Sequence, residues 1–281
     1  MSWHGHLKLD YRLDGDRTTA LDRHDGPLRV LQRLYPESPR VCHHVLVHPP
    51  GGIVGGDTLE VDIDMAPGSH ALLTTPGATR FYKSDQHEAS QSLVARVSEG
   101  ARLEWLPLET LAYRGCQAVN TLRFELAPGA EMMGWDVLAL GLPAASEAFD
   151  DPAFPRGRYT QEIELPGVWL ERGTVSASDA LLLGSQLGWG GHRVMATLWF
   201  AVGTALSRDR REALLDAART MQADSPLAGT SGSTSPNEQL VVLRVLAHRV
   251  EPAMALLQRV WGSWRERAWD IAPCPPRVWR T

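Results

Sequence analysis

The chain has 281 residues, 43% of them hydrophobic and 22% charged, which is the composition of a globular protein able to bury a sizeable core in one large domain or two small ones. Its net charge of −5 leaves no basic excess of the kind that nucleic acid or an anionic membrane surface requires.

The first residues, Met1-Ser2-Trp3-His4-Gly5-His6, lack the basic stretch and apolar run of a signal peptide. No segment reaches the roughly 18 apolar residues of a membrane span, so the expectation is a soluble, cytoplasmic protein. From about residue 5 to about residue 200 the pattern is that of strands. Leu7-Lys8-Leu9-Asp10-Tyr11-Arg12-Leu13, Leu59-Glu60-Val61-Asp62-Ile63-Asp64-Met65 and Leu122-Arg123-Phe124-Glu125-Leu126 alternate apolar and polar residues, as a strand with one buried face does. Ala66-Pro67-Gly68-Ser69 is echoed by Ser98-Glu99-Gly100-Ala101 and by Ala127-Pro128-Gly129-Ala130, each between two strands. Glycines roughly thirty residues apart suggest repeated β units stacked coil on coil; a β-sandwich with chance resemblance between its hairpins is the alternative.

The last third changes character. Leu206, Ala213, Leu214, Ala217, Ala218 and Met221 form one helical face, with Ser207 or Asp209 as N-cap. Leu227 to Asn237, rich in Gly, Ser and Thr, reads as a loop. Leu240 to Leu246 suits a buried strand, and Pro252 suits the first position of a helix carrying Met254, Leu257, Trp261, Trp264 and Ala268 as one apolar stripe. Such a stripe packs on its own domain or receives a partner. The ten tryptophans, Trp261, Trp264 and Trp269 among them, are core fillers or interface anchors.

Catalytic chemistry is hard to find. The segment His48-Pro49-Pro50-Gly51-Gly52-Ile53-Val54-Gly55-Gly56-Asp57 lacks the Gly-Lys-Ser/Thr of a phosphate-binding loop and the spacing of a dinucleotide fingerprint. On a strand His44 and His48 share a face and His43 takes the other, but no third ligand stands at a recognisable spacing. Cys42, Cys116 and Cys274 are far apart and form no Cys-x-x-Cys, which argues against a disulfide framework and a structural zinc site. Carboxylates are more informative. Asp57, Asp62 and Asp64 surround the glycine segment, Glu104 and Glu109 flank Trp105 to Leu108, and Asp136 and Glu171 lie in apolar text. A carboxylate in such a position is paired, hydrogen-bonded or facing an internal wet space, and a salt bridge from Glu171 to a nearby arginine is the plainer reading.

The segment His48 to Asp57 resembles the signature of the urease accessory protein UreD (UreH) family. The resemblance continues through Leu73-Thr74-Thr75-Pro76-Gly77-Ala78-Thr79-Arg80-Phe81-Tyr82-Lys83-Ser84, Leu103 to Thr110 and Gly134-Trp135-Asp136-Val137-Leu138-Ala139-Leu140-Gly141. His24 to Val30 and Pro276 to Trp279 extend it toward both ends. Tyr113-Arg114-Gly115-Cys116 and the stretch Ala148 to Arg158 depart from the family pattern. The resemblance implies a mainly β fold, a β-superhelix of stacked strands and hairpins with a small helical part near the C-terminus. It would occupy 1–281 as a single domain, β-rich over about 1–204 and with two helices and a strand over about 205–268. It also implies no enzymatic activity and no permanently bound cofactor. The implied role is a scaffold for nickel insertion that binds UreF, through it the GTPase UreG, and apo-urease; a purely structural adaptor is the alternative. The water-filled tunnel proposed for the family as the route of nickel in transit assigns Asp57, Asp136 and Glu171 as transient nickel contacts and Thr74 and Thr75 as tunnel lining. The signature residues themselves are His48, Pro49, Pro50, Gly51, Gly52, Gly55 and Gly56.

Overall fold

A computed structural model of the chain describes residues 2–142, 145 and 147–280; Met1 and Thr281, the ends of the expected single domain, lie outside the described residues. The elements in order are β1 (His4–Asp14), β2 (Arg17–Asp25), β3 (Arg29–Leu34), β4 (Val41–Val47), β5 (Thr58–Met65), β6 (His70–Thr74), β7 (Thr79–Phe81), β8 (Ala89–Val97), β9 (Arg102–Trp105), β10 (Thr110–Ala112), β11 (Gln117–Leu126), β12 (Glu131–Leu140), β13 (Arg158–Leu165), β14 (Trp169–Ser176), α1 (Ala180–Gly184), β15 (Val194–Val202), α2 (Arg208–Ala223), β16 (Ser231–Asn237), β17 (Leu240–Ala247) and α3 (Val250–Trp269).

Successive coils lay like strands side by side. One sheet runs β14-β13-β11-β8-β5-β1-β2, and a longer one runs β16-β17-β15-β12-β9-β6-β4-β3, while β7 and β10 pair in parallel beside the end of β12. The central strands of both sheets are parallel, with Val41, His70, Arg102 and Glu131 in one register column. The fold is therefore a mainly β protein, a β-solenoid of about three turns with a helix near the C-terminus. The glycine echo read from the sequence is its corner. Gly68, Gly100 and Gly129 have φ of 70°, 66° and 77°, which a side chain rarely adopts. Gly68 N–H donates to Glu99 O at 3.1 Å and Gly100 N–H to Gly129 O at 3.2 Å, so the corners stack.

Two cores result. Leu7, Ile63, Leu73, Leu93, Phe124 and Ile163 fill the solenoid between the sheets. The outer face of the longer sheet packs on α2 and α3, where Trp135, Phe200, Leu243, Leu257, Trp261 and Trp264 are buried. Each such apolar side chain contributes about 1.5–3 kcal/mol by leaving water. β12 serves both cores, Met132 and Leu138 turning inward and Met133, Trp135 and Val137 toward the helices.

The tryptophans Trp261, Trp264 and Trp269 are thus core, not surface anchors, and the stripe on α3 packs on its own sheet. Ser207 is the N-cap of α2, its hydroxyl accepting from Arg210 N–H at 3.3 Å. Helix α3 starts at Val250, so Pro252 is its third residue, still in the first turn whose N–H groups have no acceptor within the helix. The segment expected as a loop, Leu227 to Asn237, instead forms a 3₁₀ turn at Ala228–Thr230 and the edge strand β16. The apolar β17 supplies its ladder partner, and that pairing overrides the low strand preference of Gly and Ser.

Candidate functional site

The glycine segment links β4 to β5 across one side of the solenoid. Ile53 N–H donates to Arg80 O at 2.7 Å and Tyr82 N–H to Ile53 O at 3.0 Å, which stitches the segment to the chain around β7. This crossing explains the missing side chains: a Cβ on Gly52 would lie 2.0 Å from the Tyr82 ring, and one on Gly55 2.0 Å from Ser84 Oγ. Gly52→Ala is therefore expected to lower stability by about 1–3 kcal/mol, read as a fall in the urea midpoint. Asp57 closes the segment from below. Its Oδ1 accepts from Trp3 N–H at 2.8 Å and its Oδ2 from Val54 N–H at 3.0 Å, so both oxygens are committed to backbone.

Beneath the segment is a cavity of about 370 Å³, lined by His48, Pro49, Gly51 and Gly52 on one side and Thr75 to Arg80 on another. His48 is half-buried, and burial lowers its pKa against the opposing charge of Asp57. Gln91 of β8 also lines the cavity and begins a chain of carboxamides along the inward face of the shorter sheet. Gln91 Nε2 donates to Asn120 Oδ1 at 3.3 Å, and Asn120 Nδ2 to Gln161 Oε1 at 3.0 Å, where the Tyr159 hydroxyl also donates at 2.9 Å. Three coils are crossed in this way, because the ladder register sets Gln91, Asn120 and Gln161 side by side. Gln161 Nε2, at the inner end, is buried without a partner.

Across the interior stands Asp136. Alternation along β12 turns it inward with Met132 and Leu138, and its carboxylate makes no hydrogen bond among the described residues. Burial, reinforced by the charge of Glu171, pushes its carboxyl up to about 7. Asp136, Thr197 and Arg244 are in register on β12, β15 and β17. Arg244 Nη2 donates to Glu171 Oε2 of β14, so an ion pair joins the edge of the shorter sheet to the longer one.

The predicted residues thus separate. His48, Pro49, Gly51, Gly52 and Thr75 line the cavity, whereas Thr74 faces outward and its Oγ1 accepts from Trp279 Nε1 at 2.8 Å. Pro50, Gly55 and Gly56 belong to the segment but do not line the cavity, and Asp57 supports the segment from beneath. Asp136 and Glu171 share the inner space, Glu171 in the arginine pair that was the plainer reading of it. The carboxamide chain was not singled out, although Asn120, inside the alternating run Gln117–Leu126, holds an inward position where an apolar residue is the rule. Of the two histidines read as sharing a face, His44 bonds the Tyr11 hydroxyl at 2.7 Å inside the solenoid, and His48 is at the cavity. His43 takes the opposite side, bonding Glu37 at 2.6 Å.

A second charged cluster is buried between the longer sheet and α3. Arg265 Nε donates to both oxygens of Glu104 at 3.1 and 3.0 Å, and its Nη1 and Nη2 donate to Glu37 at 3.0 and 2.9 Å. His70 Nε2 and Trp261 Nε1 complete Glu104 at 2.7 and 2.6 Å. Every charge here has its partners, which describes a fastening and not an open site.

The family model for the UreD urease accessory protein matches residues 4–280 of the chain. A protein of Leptothrix cholodnii named urease accessory protein UreD is 62% identical over 283 residues, covering 100% of both chains. Proteins of that name from Paracidovorax citrulli and Variovorax paradoxus are each 57% identical, covering 99% and 100% of both chains.

Proposed function

From the premise that the chain belongs to the UreD family of urease accessory proteins, and so has a role in urease maturation, we propose that it is a non-catalytic, cytoplasmic scaffold for nickel delivery. In this reading it binds UreF, through it UreG, and docks on apo-urease, and its interior gives nickel a sheltered way to the urease active site. The observation that carries the reading is Asp136, an inward carboxylate whose side chain has no hydrogen bond among the described residues, in an interior that also holds the carboxamide chain beginning at the cavity. A dication in transit needs oxygen ligands that release it, and a carboxylate without a hydrogen bond, near a second carboxylate and amide groups, meets that need. Asp57 contributes differently: it holds the cavity segment in shape, since backbone N–H groups occupy both its oxygens.

The reading of the chain as a purely structural adaptor is favoured by the same commitment of Asp57 and by the pairing of Glu171 with Arg244. Deleting the gene from cells that carry the urease operon, and then restoring it, tests the maturation role. Deletion is expected to leave urease assembled, inactive and poor in nickel, and restoration to return both activity and nickel per active site. Urease fully loaded with nickel in the deletion strain would overturn the reading.

A further inference from the structure

Two connections form one side of the cavity: Thr75 to Ala78, between β6 and β7, and 106–109, between β9 and β10, which reaches it through Pro107. They are tied to each other, Leu108 N–H donating to Thr75 Oγ1 and Thr79 N–H to Glu109 O, each at 2.9 Å. Connections without a ladder of their own take their place from what lies behind them. Behind these, on the outer face of the longer sheet, are tryptophans from distant parts of the chain. Trp135 of β12 donates its Nε1–H to Pro107 O at 2.6 Å, and Trp279 donates its own to Thr74 Oγ1 at 2.8 Å. The two rings are 5.1 Å apart, and that of Trp261 on α3 is 5.4 Å from Trp279. Trp135 and Trp261 are fully buried within the sheet and the helix. Trp279 instead belongs to the segment after α3, which Arg265 Nη1 holds through Ala272 O at 2.7 Å.

We infer that Trp279 is a positioning residue of the cavity, acting on it through Thr74 from the opposite face of the sheet. Thr74 is the last residue of β6, and its neighbour Thr75 is at the cavity. Successive residues of a strand take opposite faces, so a bond that fixes Thr74 outside sets where Thr75 stands inside. Thr75 in turn holds Leu108, and the ring of Trp279 packs against Trp135, which holds Pro107. One side chain, 205 residues beyond Thr74, thereby places both connections. The bond is made where Thr74 is 2% exposed, away from competing water. Thr74, expected to line a nickel route, thus serves the cavity from behind. The consequence for nickel rests on the delivery reading: the metal passes the cavity only while Trp279 keeps these connections in place.

Amide hydrogen exchange of the full chain reads the cavity side directly. In Trp279→Ala the amides of Thr79 and Leu108 are expected to exchange about tenfold faster, while those of β8 and β11 in the opposite sheet stay unchanged. Trp279→Phe keeps a ring and loses the donor, and Thr74→Val loses the acceptor. Each is expected to give a smaller rise, and the double variant no more than either alone, since both remove the same bond. In cells carrying the urease operon, nickel per urease active site is expected to fall with Trp279→Ala and to return in part with Trp279→Phe. Unchanged exchange at Thr79 and Leu108, or a rise shared by all strands, overturns the positioning role and leaves nickel delivery standing. Faster exchange confined to Thr79 and Leu108 with urease fully loaded overturns the place of the cavity in delivery, and with it the part of Trp279 in that process.

Discussion

Arg265→Met is expected to lower the stability of the protein by about 3–5 kcal/mol, because it strands two buried carboxylates. Glu104 and Arg265 have fully buried side chains, and Glu37 is 10% exposed. The pairing joins α3 to β9 and to the segment before β4, regions far apart in the chain, so its loss also loosens the helical layer. Chemical denaturation followed by tryptophan fluorescence reads it directly, since Trp261 and Trp264 lie on the same helix. The double variant Arg265→Met with Glu104→Leu is expected to recover part of the loss, because two apolar groups need no partners. The pH dependence has a definite sign. Burial alone raises the Glu104 carboxyl, but the His70 hydrogen bond and the Arg265 charge outweigh it and hold the pKa below the usual value; burial lowers that of His70. The unfolded chain therefore binds more protons at both sites in acid. The His70 contribution begins to be lost as pH falls below about 6.5, and the Glu104 contribution as it falls through the depressed value of the folded state. Glu104→Gln abolishes the second part of that loss.

Asp136→Asn is expected to act in opposite directions on stability and on delivery. With its folded pKa at about 7, Asp136 holds a proton that the unfolded chain has released from about pH 4 upward. Its presence thus makes the fold less stable as pH rises from about 4 to about 7. Asparagine removes that decline, and above pH 7 the variant gains at most about 4 kcal/mol over the wild type. Nickel incorporated into urease is expected to fall in the same variant while the complex with the partners still assembles. A structural role for Asp136 predicts instead a fall in both, lower stability with delivery following it. The single substitution is the cleaner test than one that also removes Asp57, since Asp57→Ala unmakes the cavity segment by freeing Trp3 and Val54 N–H groups.

Much of the fold could be read before any coordinates. Period-two alternation in Leu7 to Leu13 and Leu59 to Met65 located β1 and β5, and the glycines at 68, 100 and 129 located the corners of the coils. These signals are local: a strand face repeats every second residue, and positive φ selects glycine whatever lies around it. β16 was missed because its residues have little strand preference of their own and take their structure from β17. The signature segment was recognised as a block, but its chemistry divides by packing: His48 and Thr75 meet at a cavity, whereas Asp57 turns beneath the segment and Thr74 turns toward Trp279.

The mainly β architecture, the coil period, the helical layer at the end and the family to which the chain belongs are all written in the order of its residues. Which polar residues meet is a matter of how distant segments pack. Gln91, Asn120 and Gln161 are separated by about thirty to forty residues and touch because parallel coils place equivalent positions side by side. Glu104 and Arg265 are 161 residues apart, and the packing of α3 alone unites them. Asp136 and Glu171 are both carboxyl groups in similar apolar text, yet the side chain of one lies without a hydrogen bond among the described residues and the other grips Arg244. Periodicity states which side of a strand a residue takes; what waits on that side is set by chain segments distant in sequence, and the difference between an ion pair and an open carboxylate lies there.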